Sequence, residues 1–74
     1  MREIKNYKVI FYWLVEPEKE ICSTICRASN PSTAVESAKY LIARDWVDAD
    51  FEDTINIAKE HLEMMSGEIL ITEV

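Results

Sequence analysis

Tyr7-Lys8-Val9-Ile10-Phe11-Tyr12-Trp13-Leu14-Val15 is the stretch that decides the fold. Read with a period of two, it places Tyr7, Val9, Phe11, Trp13 and Val15 on one side. Ile10, Tyr12 and Leu14 fall on the other, with Lys8. Apolar residues on both sides mark a strand covered on both faces, the place of a central strand in a sheet. The spacing predicts this strand over 4–15. Glu16-Pro17-Glu18-Lys19 follows, polar at its flanks, with a proline pre-set for the second position of a turn. A hairpin is the natural consequence, its second strand running from Glu20 to Ala28 through the β-branched run around Thr24 and Ile25.

Beyond the hairpin the period changes. Asn30 is a capping residue and Pro31 suits the first helical position, where no N–H is needed. Ala34, Val35, Ala38, Leu41, Ile42 and Trp46 then recur at helical spacing, with a helix end expected near 45–47. A second stripe, Phe51, Ile55, Ala58, Leu62 and Met65, predicts another helix capped by Asp50. The competing reading is one unbroken helix from Pro31 to Met65, since no glycine or proline interrupts it; a shift of phase between the stripes and the acidic join favour two helices. Gly67, the only glycine, stands where a left-handed helix end would need one. Glu68–Val74 reads as a last strand.

The order is therefore β-β-α-α-β, an α+β fold with a three-stranded sheet and two helices on one face. If each element reverses the direction of the one before it, the third strand runs parallel to the first and lies beside it. The expected strand order is 2-1-3. Seventy-four residues are one domain's worth, 1–74, and a chain this short has a thin stability margin. Two helices cover only one face of such a sheet, so one apolar set on the first strand is left to face outward. Phe11, Tyr12, Trp13 and Leu14 are the expected contacts with a second copy or a partner, and a homodimer is expected.

Charge sets the class of partner. Fourteen acidic residues against eight basic ones give a net charge of −6, which repels phosphate backbones. Direct nucleic-acid binding is not expected. No apolar run approaches membrane-spanning length, and no small-residue cleavage site follows Val15, so a cytoplasmic protein is expected. Asp45, Asp48, Asp50, Glu52 and Asp53 place five carboxylates within nine positions. Calcium-loop spacing fails there: counting from Asp48, the glycine and glutamate positions hold Asp53 and Lys59. Helix capping and solvation would account for part of the cluster. An epitope that docks on a basic protein surface is the sharper reading, with Trp46 and Phe51 beside it.

Catalytic chemistry finds no foothold. His61 is the only histidine, its neighbours Glu60 and Glu63 point elsewhere on a helix, and no nucleophile is spaced to use it. Cys22 and Cys26 on a strand lie about 13 Å apart, too far for a mutual disulfide. Zinc would need further ligands, so neither metal nor cofactor is expected. The expectation is a non-enzymatic protein that binds another protein, an inhibitor or accessory protein of the phage or mobile-element type. Anti-CRISPR proteins share its size and acidity, a likeness of type carried by no particular residues. The alternative is a homo-oligomeric structural subunit with no activity of its own.

Overall fold

A computed structural model describes residues 3–74. Strand β1 (Lys5–Trp13) turns through Glu16–Lys19 into β2 (Glu20–Ala28). Lys19 N–H donates to the Glu16 carbonyl at 2.9 Å, closing the turn around Pro17. Helix α1 spans Pro31–Asp48, capped by Asn30, whose Oδ1 accepts from the Thr33 N–H at 2.9 Å. Helix α2 spans Ile55–Met65, and β3 spans Ser66–Glu73.

The sheet order is β2-β1-β3, with β1 central. Both neighbours are antiparallel to β1, which corrects the expected parallel third strand. The reason lies at the end of α2. Met65 is its last residue and Ser66 already begins β3, opposite Trp13. The Leu14 N–H donates to the Met65 carbonyl at 2.8 Å, so α2 ends at the hairpin end of β1. From there β3 can only run back along β1. A parallel third strand would need every element to reverse its predecessor along one axis.

The two faces of β1 separate cleanly. Tyr7, Val9 and Phe11 are buried with Cys26 and Ala28 of β2, Ala34, Ala38 and Ile42 of α1, and Leu62 of α2. Ala34 and Ala38 are fully buried, and their small side chains allow α1 to lie close against β2. Ile69 and Ile71 of β3 pack on the same core from its rim.

Two helix ends differ from expectation. The left-handed residue is Asp50 (φ 62°), not Gly67. Asp50 N–H donates to Val47 O at 3.1 Å and Phe51 N–H to Trp46 O at 2.9 Å, the paired bonds of a Schellman motif closing α1. Aspartate tolerates that conformation better than most residues. Asp50 therefore closes α1 and does not open α2; Thr54 caps α2, its Oγ1 accepting from Ile57 N–H at 3.2 Å. Phe51 falls outside the second helix and is 76% exposed.

Gly67 serves a close approach instead. A Cβ there would meet the Leu14 backbone Cα at 3.0 Å. On an open strand Gly67→Val would stabilise; here it should cost about 1–3 kcal/mol, read as a lower denaturation midpoint at unchanged slope.

Candidate functional site

The acidic turn joins the C-terminal end of α1 to the start of α2. Asp45 and Asp48 lie exposed in the last turn of α1, Asp50 in the left-handed link, and Asp53 just before the Thr54 cap. None of these four carboxylates has an ion-pair partner among the described residues. Glu52 stands apart from them: it is half-buried and accepts a hydrogen bond from His61 Nδ1–H, tying the link to α2. His61 thus has a structural partner on the neighbouring element.

Asp45 and Asp48 are oddly placed for stability. A helix C-terminus carries the negative end of the backbone dipole and favours cations. The last turn of α1 contains no basic residue. Capping does not explain them either, since the Schellman bonds use backbone groups and α2 is capped by a threonine. Asp53 lies near the positive end of α2 and is better tolerated.

The apolar strand residues scatter. Phe11 is 0% exposed in the core, so the folded chain does not present it to a partner. Tyr12 is half-buried on the opposite face, Trp13 is half-buried at the strand end, and Leu14 lies exposed in the hairpin loop. The open face of the sheet instead assembles residues from all three strands. Opposite Ile10 stand Ser23 and Leu70; opposite Lys8 stand Ile25 and Thr72. Ile25 is 60% exposed and Leu70 45%. Arg27 shares this face, opposite Asn6. Ile25 and Leu70 were missed because their facing depends on strand register, which alternation within one strand does not supply.

A groove of about 630 Å³ opens between β2 and α1, lined by Ile25, Cys26, Arg27, Glu36, Ser37, Tyr40 and Leu41. Cys26 at its floor is buried, and its S–H donates to the Ala34 carbonyl at 3.2 Å. Both cysteines are free thiols on the core side of β2. Burial pushes both thiols up, Cys22 to about 11 with the charge of Glu20 adding to it. Protonated thiols at neutral pH are poor nucleophiles and poor metal ligands. Among the described residues no group of three His, Cys, Asp or Glu side chains converges as a metal site would require. No helix among them is long and apolar enough to cross a membrane.

Comparison with protein-family models, curated proteins and solved structures finds no match in any of the three.

Proposed function

We propose that this protein acts by binding another protein rather than by catalysis, its acidic turn docking on a basic surface of the partner. The role is that of an inhibitor or accessory protein of the phage or mobile-element type. The observation that carries this reading is the position of Asp45 and Asp48. They are exposed, lack ion-pair partners among the described residues, and sit at the end of α1 where carboxylates cost stability. Residues that weaken a fold while presenting charge to solvent are best accounted for by what they bind. Long-range attraction to a basic surface would also speed encounter.

Asp48→Lys supplies the test, because stability and binding should move in opposite directions. Replacing a carboxylate by a cation in the last turn should stabilise α1 by about 0.5–1 kcal/mol and raise the melting temperature by roughly 3–6 °C. The Asp45→Lys, Asp48→Lys double variant should retain much less partner from a source-cell lysate than the wild type. What it does retain should elute with a flatter dependence on salt. Equal recovery and equal salt dependence in a folded double variant would overturn the proposal.

A second reading has its own support. Ile10, Tyr12, Ile25 and Leu70 form an uncovered apolar face, which suits self-association through the sheet. Sedimentation of the wild type and an Ile25→Lys variant separates the readings. A dimer abolished by Ile25→Lys, with the double variant still dimeric, favours a homo-oligomeric subunit.

A further inference from the structure

The groove between β2 and α1 combines features that the acidic turn lacks: a free strand edge, an apolar wall and an unmatched cation. We propose that it binds an extended acidic peptide segment, which adds to β2 as a fourth strand.

The backbone comes first. Strand β2 pairs with β1 on one side only, so among the described residues its outer edge presents amide and carbonyl groups with no strand beside them. Such an edge is a template for another strand, and main-chain hydrogen bonds supply affinity for any extended segment that reaches it. Here the edge does not stand bare in solvent. Helix α1 flanks it, and Tyr40 and Leu41 form a wall along the groove. Tyr40 is 47% exposed, as a side chain waiting at the side of a groove would be.

Side chains then select the occupant. Ile25 and Arg27 are two apart on β2 and share the open face of the sheet. Arg27 has no ion-pair partner among the described residues. The groove's carboxylate, Glu36, lies 3.6 Å from Lys39, which it shares with Glu63 at 3.4 Å. Among the described residues the Arg27 guanidinium is therefore the groove's unpaired charge, although the chain as a whole is at −6. An added strand would place one residue beside Arg27 and another, two positions away, beside Ile25. The residue between them would point to the other face, toward Tyr40 and Leu41. The preferred segment carries Asp or Glu, then an apolar residue, then a β-branched apolar residue, or the same pattern reversed if the strands run parallel. A carboxylate beside the guanidinium gives a charge-assisted hydrogen bond, the strongest single contact on offer.

The probe is a display library of random nine-residue peptides, panned on the immobilised full chain. The enriched sequence is then synthesised with its acid and with the matching amide, and titrated into isotope-labelled protein. The expected result is enrichment of an acidic residue two positions from an apolar one, with saturable amide shifts at Ile25, Cys26, Arg27 and Tyr40. Arg27→Gln should weaken binding of the acidic peptide roughly tenfold. The amide peptide should bind the wild type about tenfold more weakly, and Arg27→Gln should add little to that loss. The acid-against-amide comparison on the wild type needs no change to the protein, and Tyr40→Ala, at the groove wall, should weaken both peptides alike. Absence of enrichment, or shifts confined to Ile10, Leu70 or the acidic turn, would overturn the proposal. So would concentration-dependent shifts of the same β2 amides without peptide, which would give the edge to a second copy of the chain. Enrichment of basic peptides would overturn the role of Arg27 and with it the stated occupant.

Discussion

Phe11→Ala should lower the melting temperature by roughly 12–40 °C, while Ile10→Ala, one residue away, should shift it by only a few degrees. Phe11 is the largest of the fully buried side chains, and it stands among Val9, Ala34, Ala38 and Leu62. Truncating a buried phenylalanine removes its transfer free energy and leaves a cavity, together about 3–5 kcal/mol. A chain of this length has roughly 4–11 kcal/mol of total stability, so the loss is a large part of the whole. Ile10 points to the uncovered face, where truncation should cost about 1 kcal/mol. Denaturant melts of the two variants at low protein concentration check this contrast. Equal losses would mean that the open face is buried too, which a monomer of this architecture does not allow. The pair therefore reports on the assignment of faces and on self-association together.

The second large effect concerns the thiols. In the native protein at pH 8, alkylation of Cys22 by iodoacetamide should be about a hundredfold slower than in the unfolded chain. Burial, reinforced by Glu20, raises its pKa from 9.0 to about 11, so the reactive thiolate is scarce. Cys26 should be slow as well, being buried and bonded to the Ala34 carbonyl. The same shift makes stability depend on pH in a definite direction. A raised thiol pKa means that the folded state holds its proton more tightly than the unfolded state does. That contribution is intact below pH 9 and is lost as pH rises from 9 toward 11. A denaturation series across that range should fall, and a Cys22→Ser variant should fall less. Rapid modification of Cys22 in the folded protein would show that the β2 edge opens locally, a mobility that would also bear on peptide addition there.

These outcomes rest on a fold whose parts were unequally legible. Local chemistry was sufficient for the elements themselves. Pro17 marked the hairpin, Asn30 and Pro31 marked the start of α1, and the doubly apolar β1 marked itself as central. Each of these signals acts over a few neighbouring residues, so the chain carries it without help. The same holds for the acidity of the turn and for the absence of a spacing that would let Cys22 reach Cys26 along a strand.

Other features depended on distant residues meeting. Gly67 looked like a helix end, yet its reason is Leu14, brought against it only when the end of α2 meets the hairpin. Asp50 looked like a cap for the helix after it, yet its backbone closes the helix before it. Nothing in its neighbours chooses between those roles, because aspartate suits both. The direction of β3 turned on α2 passing straight into it at Ser66, a matter of where a helix ends in space. The outward-facing set, with Ile25 and Leu70 around Ile10, required the register of three strands, and the groove required α1 to lie beside the free edge of β2. Periodicity assigns residues to faces within one element. Only packing between elements decides which face meets the core and which is left for a partner.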